Sequence, residues 1–202
     1  MLSFDEDYRQ RLLDGMAKAI VEKGYADTTI ADIVRHARVS KRTFYEHFPD
    51  KQACLLACYA ANHDRVIGAI ESRPPAEANF SWDQRLLLGL RDFLSAGEAQ
   101  LELMSALMIE ILAAGREGLK ARREVHTRFS DLLRRLVERE RERRGEQLRS
   151  LSPYMAAAMV SGIHEILLNA YEEGRVQNVK DMLEPLGEFV STMFQELELP
   201  AR

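Results

Sequence analysis

A short segment near the N-terminus carries a high density of hydrogen-bonding side chains. The sequence KRTFYEH, residues 41–47, holds two adjacent cations, a hydroxyl, a phenol and an imidazole within two helical turns. On a helix with about 100° per residue, Phe44 and Phe48 fall on one side and define a buried face. Arg42, Thr43 and Glu46 then point away from the core, with Lys41 and Tyr45 on one shoulder and His47 on the other, a layout that suits hydrogen bonding to base edges and phosphates.

Local signals place this segment on the second helix of a closely spaced pair. Thr29 and Asp32 form a T-x-x-D capping box, and apolar residues then recur at helical spacing as far as Ala37. Ser40 is a good N-cap for the next helix, and Pro49 ends it by disfavouring helical geometry at the residue before it. The connection between the two helices is short, which favours a helix-turn-helix arrangement.

The charge of this region is locally positive. Between residues 28 and 51, five Lys or Arg residues and three acidic residues give 5 − 3 = +2, in a chain whose net charge is −4. Nonspecific coating of nucleic acid requires many cations to neutralise phosphates, so any nucleic-acid contact of this chain must be local. Glu46 is the exception on the outward side, because phosphates repel a carboxylate. It either lies beyond the groove or accepts from a cytosine amino group.

Residues 24–55, GYADTTIADIVRHARVSKRTFYEHFPDKQACL, resemble the N-terminal signature of the TetR family of bacterial transcriptional repressors. The shared features are a Gly-aromatic pair, Thr-Thr-Ile, Asp-Ile, Val-Ser, and an aromatic run ending in Tyr-x-His-Phe before a Lys. The remainder of the chain is similar to that family only in length and helical character. Two features depart from the pattern: Arg38 stands where the family commonly has glycine, and the acidic N-terminus offers no basic arm for the minor groove.

The resemblance implies roles for the matching side chains. Base-facing positions correspond to Lys41, Arg42 and Thr43, and phosphate-contacting positions to Thr28, Thr29, Tyr45, His47 and Lys51. Two alternatives stay open: Tyr45 as ordinary amphipathic surface, and His47 as a counter-charge at the helix C-terminus. The expected DNA-binding set is Thr28, Thr29, Ser40, Lys41, Arg42, Thr43, Tyr45, His47 and Lys51.

Helical periodicity continues to the C-terminus without a convincing strand. The Pro-rich stretch RPPAEANFS, residues 73–81, is typical of a connecting loop. After the fourth helix we expect helices near residues 81–96, 98–114, 119–145, 152–174 and 179–197. The predicted fold is all-α with about nine helices, comprising a three-helix helix-turn-helix DNA-binding domain at 1–50 and a helical effector-binding and dimerisation domain at 51–202.

The last two helices are the candidates for a homodimer interface. One helix-turn-helix reads only a few base pairs, so specificity requires two copies about one DNA turn apart. The sequence YMAAAMVSGIHEILLNAY, residues 154–171, is apolar almost all round, which is unfavourable for a surface left in water. The predicted interface residues are Met159, Ile163, Leu167, Leu186, Val190 and Met193.

The central helices carry aromatic and methionine side chains that suit an adaptable apolar cavity. Ordinary core packing explains the same residues equally well. The predicted contacts to a small-molecule effector are Trp82, Phe93, Met104, Met108 and Phe129.

No enzyme motif is found in the sequence: there is no G-x-S-x-G, Walker loop, dinucleotide glycine motif, H-E-x-x-H or Cys-x-x-Cys. Cys54 and Cys58 are spaced as two small buried residues on one helix rather than as a disulfide. We therefore expect no enzymatic activity, no cofactor and no metal. The first residues are acidic and the longest apolar stretch is broken by Glu110, so we expect a cytoplasmic location and no membrane contact.

The sequence therefore favours a ligand-responsive repressor that binds a near-palindromic operator in double-stranded DNA as a homodimer and is released by a small apolar molecule. Two other classes compete with this hypothesis. A helical small-molecule carrier or enzyme with a vestigial DNA-binding motif would bind or convert a ligand but show no salt-sensitive DNA affinity. A structural, ligand-independent DNA-binding dimer would bind all duplexes with similar affinity.

Overall fold

The computed structural model describes residues 4–72, 80, 82–98, 101–144, 149–173, 175 and 180–195, and the regular structure of these residues is entirely helical. The predicted all-α class is confirmed. Among these residues, no helix has both the length and the apolar character needed to cross a membrane. In chain order the helices are α1 Phe4–Asp27, α2 Ile30–Ala37, α3 Lys41–His47, α4 Lys51–Glu71, α5 Trp82–Glu98, α6 Leu101–Glu110, α7 Gly115–Arg144, α8 Pro153–Glu172 and α9 Lys180–Gln195, with a 3₁₀ turn at Ile111–Ala114.

Two helix boundaries show how glycine redirects the chain. Gly24 has φ 73° and ψ 169°, so it interrupts α1 at the position where the sequence predicted a helix end. Gly115 has φ 62° and follows the 3₁₀ turn. Because of this turn, α6 ends at Glu110 and α7 begins at Gly115, whereas the sequence predicted one helix to residue 114 and the next from residue 119.

The connection between α2 and α3 is built from reciprocal hydrogen bonds. The Thr29 side chain accepts from the Asp32 N–H, and the Asp32 carboxylate accepts from the Thr29 N–H at 2.9 Å, which completes the predicted capping box. Arg38 then adopts the left-handed conformation, with φ 54° and ψ 47°. The Arg11 side chain holds this turn by donating to the Ala37 carbonyl oxygen at 3.0 Å and to the Arg38 carbonyl oxygen at 2.7 Å.

One compact unit contains α1–α3, α4 as far as Asp64, α6, the 3₁₀ turn and α7 as far as Arg123. Helix α1 packs against α2, α3 and α6. A Cβ added at Gly15 would lie 2.5 Å from the Ile33 carbonyl oxygen, so this glycine permits the close approach of α1 and α2. The core of the unit includes the fully buried side chains of Leu12, Met16, Ile20, Ile33, Phe44, Leu55 and Tyr59.

The second compact unit contains α4 from Arg65, α5, α7 from Glu124, α8 and α9. Helix α9 packs against α5 and α8. Its core cluster is formed by Val137, Leu151, Ala156, Met159, Val190 and Phe194. These two units divide the chain by packing, and the predicted division at residue 50 into a DNA-binding and an effector domain stays a prediction.

Candidate nucleic-acid interface

Helix α3 has one buried face and one exposed face. Phe44 is fully buried and Phe48 nearly so, and their ring centroids lie 5.9 Å apart. This arrangement matches the buried face expected from their spacing. The exposed face presents Lys41, Arg42, Tyr45 and Glu46 to solvent.

Ser40 and Thr43 together fix the first turn of α3. The Ser40 hydroxyl oxygen accepts from the Thr43 N–H at 3.0 Å, and the two hydroxyl oxygens lie 2.9 Å apart. Thr43 is half-buried, while Ser40 is exposed. Both residues thus have a structural role, and base or phosphate contact by them stays a prediction.

Arg42 is paired with Glu46 one helical turn later. The Arg42 Nε donates to the Glu46 Oε1 at 3.1 Å, and the two side chains are 89% and 55% exposed. From the sequence we expected Glu46 to lie beyond the groove or to accept from a cytosine amino group, and this pairing was not predicted. The signal was present, because opposite charges at i and i+4 are neighbours on a helix surface.

His47 is less exposed than its place on a DNA-facing helix suggested. Its side chain is 7% exposed, and its Nε2 lies 3.6 Å from the Oδ1 of Asp5 in the first turn of α1. The adjacent Phe48 ring is covered by Arg9, whose guanidinium carbon is 5.5 Å from the ring centroid. The predicted phosphate contact of His47 stays a prediction, and any such contact would compete with Asp5.

Thr28 and Lys51 tie the end of α1 to the starts of α2 and α4. The Thr28 side chain is buried and its hydroxyl donates to the Gly24 carbonyl oxygen at 2.6 Å. The Lys51 ammonium donates to the carbonyl oxygens of Tyr25 and Thr28, each at 2.8 Å, and lies 4.2 Å from the centroid of the Tyr25 ring. These bonds make both residues structural ties, and their predicted phosphate contacts stay untested.

Thr29 belongs to a charged cluster at the start of α2. The Thr29 side chain is exposed, and it contacts the same Asp32 carboxylate as Lys23 does. The Lys23 ammonium lies 2.6 Å from the Asp32 Oδ2. Hydrogen bonds from Lys23 and then from Thr29 hold the pKa of Asp32 well below its ordinary value. The carboxylate therefore stays ionised and keeps the N-terminus of α2 capped.

The five predicted effector residues divide between the two compact units. Phe93 and Phe129 meet edge to face in one unit, with ring centroids 5.9 Å apart. In the other unit Met108 is buried and Met104 is half-buried. The side chain of Trp82 lies outside the described residues. Ligand contact by these residues stays a prediction.

Most of the predicted dimer residues are buried within a single chain. Met159 and Val190 belong to the core cluster of the second unit, and Ile163 and Met193 are partly buried against it. Leu167 and Leu186 are also buried. Contact of these six with a partner chain stays untested. The exposed positions of α8, none of which was predicted at the interface, include Tyr154, Met155, Ala157, Ala158 and Ser161.

Cys54 and Cys58 are buried and form no disulfide. Burial is the main reason that the pKa of the Cys54 thiol lies far above its ordinary value. Within the described residues, no group of three or more His, Cys, Asp or Glu side chains is arranged to hold a metal ion.

Comparison with known proteins identifies the first helices. Residues 12–58 match the family model of bacterial regulatory proteins of the tetR family. The transcriptional regulator TcmR of Streptomyces glaucescens is 30% identical over 69 residues, which is 34% of this chain and 30% of TcmR. The matches to curated relatives span 20% to 34% of those proteins' own lengths.

Solved structures extend the similarity of fold along the chain. A protein of Syntrophomonas wolfei assigned to the TetR family superposes with a TM-score of 0.76 at 20% identity, covering 97% of this chain and 99% of that one. FadR of Bacillus subtilis, solved in complex with stearoyl-CoA, superposes with a TM-score of 0.69 at 18% identity, covering 90% and 96%. Residues 12–58 therefore match the family model of tetR-family bacterial regulatory proteins, and the fold of the chain is similar to that of these solved structures.

Proposed function

We propose that the chain is a DNA-binding transcriptional regulator, a ligand-responsive repressor that binds a near-palindromic operator as a homodimer. The observation that carries this proposal is the exposed face of α3. Lys41, Arg42 and Tyr45 lie together on solvent-facing positions of a helix whose opposite face is anchored by the buried Phe44. A helix held in this way can enter a major groove, where exposed donors reach base edges and phosphates.

In this proposal, the residues of α3 divide their contacts by position. Lys41, Arg42 and Thr43 read bases, and Tyr45 and His47 contact phosphates. Ser40, with Thr28, Thr29 and Lys51, completes the DNA-binding set either through direct contact or by holding the helix pair in place. The helix caps and the hydrogen bonds from Arg11 to the turn support this division of contacts, because they fix α3 relative to α2 in the absence of DNA.

Two copies are required for operator specificity. A two-fold dimer would place two α3 helices in successive major grooves, roughly 34–36 Å apart. We propose that α8 and α9 form the seam between the copies. The exposed small residues Ala157, Ala158 and Ser161 support this proposal, because a flat face of small side chains lets two helices approach closely.

The effector of the proposed switch is a small, mostly apolar molecule. The aromatic pair of Phe93 and Phe129 supports this choice, as does the apolar acyl chain of the stearoyl-CoA bound to the FadR structure of similar fold. Release from the operator requires that the effector bind the DNA-competent conformation less tightly than the other conformation. If effector and operator bind without affecting each other, the switch is wrong.

The test is selection of bound duplexes from a random pool at physiological salt, with the wild type and with Arg42→Ala. We expect enrichment of a two-fold-symmetric site by the wild type and loss or broadening of one position in each half-site by the variant. Arg139→Ala is the matched control, because it removes another exposed arginine, from the part of α7 that belongs to the other compact unit. Absence of enrichment by a folded dimer would contradict the proposal and favour the carrier hypothesis.

A further inference from the structure

The ion pair between Arg42 and Glu46 lies on the face of α3 that the proposed function directs into the groove. Both side chains are more than half exposed, and neither is needed to cover the core. A carboxylate at this position is unfavourable for phosphate binding, since it opposes the local positive charge. We therefore looked for a favourable role of the Glu46 carboxylate that would offset its repulsion of DNA phosphates.

The geometry of the pair shows which N–H donor of the Arg42 guanidinium bonds to Glu46. Glu46 accepts from the Nε of Arg42, at 3.1 Å. A guanidinium carries five N–H donors in a planar fork, so the four on its terminal nitrogens lie outside this bond. In the major groove, guanine presents O6 and N7 as neighbouring acceptors, and a bidentate arginine is their commonest protein partner.

We propose that Glu46 is a positioning residue that holds the Arg42 guanidinium for bidentate reading of a guanine in each half-site. This inference rests on the proposed function of α3. A long arginine side chain loses conformational entropy when it binds. A guanidinium that is already held in place by a hydrogen bond loses less of this entropy than a mobile one. Glu46 thus increases discrimination for guanine at the position read by Arg42, while its charge lowers affinity for DNA of any sequence.

Two substitutions separate the positioning effect from the charge effect. Glu46→Gln removes the charge but keeps a side-chain oxygen that can accept from the Arg42 Nε. Glu46→Ala removes both. Since Glu46 is exposed on α3, both variants are expected to fold, which circular dichroism verifies. Glu124→Ala, at an exposed position of α7, is the matched control for the loss of one negative charge.

The experiment measures the affinity of each protein for the selected operator and for operators with each half-site base pair replaced in turn. We expect Glu46→Gln to bind all duplexes more tightly and to keep the wild-type preference for guanine. Glu46→Ala should also bind all duplexes more tightly but lose roughly 10-fold of that preference. The double variant Arg42→Ala, Glu46→Ala should discriminate no less than Arg42→Ala alone, because Glu46 acts through Arg42.

Three outcomes would overturn the inference while leaving the proposed function intact. One is an operator without an Arg42-dependent guanine. Another is equal guanine preference in Glu46→Ala and the wild type. The third is loss of preference, on replacement of Glu46, at a base pair other than the one that Arg42 reads, which would show direct base contact by the carboxylate. Failure of the wild type to select any symmetric site would instead contradict the proposed function itself.

Discussion

Helices α2 and α3 and helices α8 and α9 are two helix pairs built on opposite principles. In α2 and α3, polar side chains have separate identifiable partners, as in the Thr29 cap and the pair of Arg42 with Glu46. In α8 and α9, packing depends on a cluster of apolar side chains around Met159 and Phe194. Directional hydrogen bonds contribute much of the shape of the first pair, whereas the second pair depends on nondirectional burial. Substitutions should therefore affect the two pairs in different ways.

The largest expected effect is on the core beneath the polar face of α3. Phe44→Ala should lower the free energy of unfolding by about 3–5 kcal/mol, because Phe44 is fully buried and its loss leaves a cavity. The neighbouring Tyr45→Ala, which removes an exposed ring, should change it by less than about 0.5 kcal/mol. Urea denaturation measures both. Equal effects would contradict the division of α3 into a buried and an exposed face.

A charge on the exposed face of α8 should disrupt the proposed dimer. Ala158→Arg is expected to weaken self-association by roughly 100-fold. The dimer interface would then bury two unpaired arginines, one from each protomer. Sedimentation at graded concentrations gives the dissociation constant. Arg139→Ala serves as a control that should leave it unchanged. If Ala158→Arg dimerises normally, this face of α8 is not the seam.

A smaller effect is expected at the turn between α2 and α3. Arg38 adopts φ 54°, a conformation that costs a residue with a Cβ about 1 kcal/mol. Arg38→Gly should raise the free energy of unfolding by at most about 0.5 kcal/mol, because the entropy of the unfolded glycine offsets most of the relieved strain. Arg35→Gly inside α2 should lower it by about 1 kcal/mol. Thermal unfolding compares the two, and destabilisation by Arg38→Gly would show that the arginine side chain has a role in the turn.

The smallest expected effect is a pH dependence confined to the polar pair of helices. The pKa of Asp32 is lower in the folded chain than in the unfolded chain, mainly because Lys23 and Thr29 bond its carboxylate. Its contribution to stability is therefore present above pH ~4 and is lost as the pH falls below that value. Asp32→Asn should flatten the stability profile below pH ~4. Glu165→Gln, at an exposed site of α8, is the control and should leave the profile unchanged.

The local features of the fold were predictable because they depend on short sequence separations. The cap at Thr29, the cap at Ser40 and the buried position of Phe44 all follow from spacings of three or four residues, and the structure confirms them. The resemblance to the TetR family is confirmed within residues 12–58 for the same reason, since its motifs lie within one continuous segment.

Features joined across long sequence separations were missed. Arg11 bonds to the turn 26 and 27 residues later, and Lys51 bonds back to Tyr25, and no periodicity signals either contact. The inward face of α8 was also ambiguous, because a helix that is apolar nearly all round does not show which side packs within its own chain. Met159, which was predicted to lie at the dimer interface, is buried in the core cluster of this chain, and its contact with a partner stays a prediction.

The most direct test of the account is the dissociation constant of the wild type for its selected duplex and for a scrambled duplex of equal length, measured across a range of salt concentrations. The account predicts that the selected duplex binds at least ~10³-fold more tightly at physiological salt. It also predicts that affinity for both duplexes falls as salt rises, because cations such as Lys41 replace condensed counterions. Equal affinity for the two duplexes would contradict the claim that α3 reads DNA sequence.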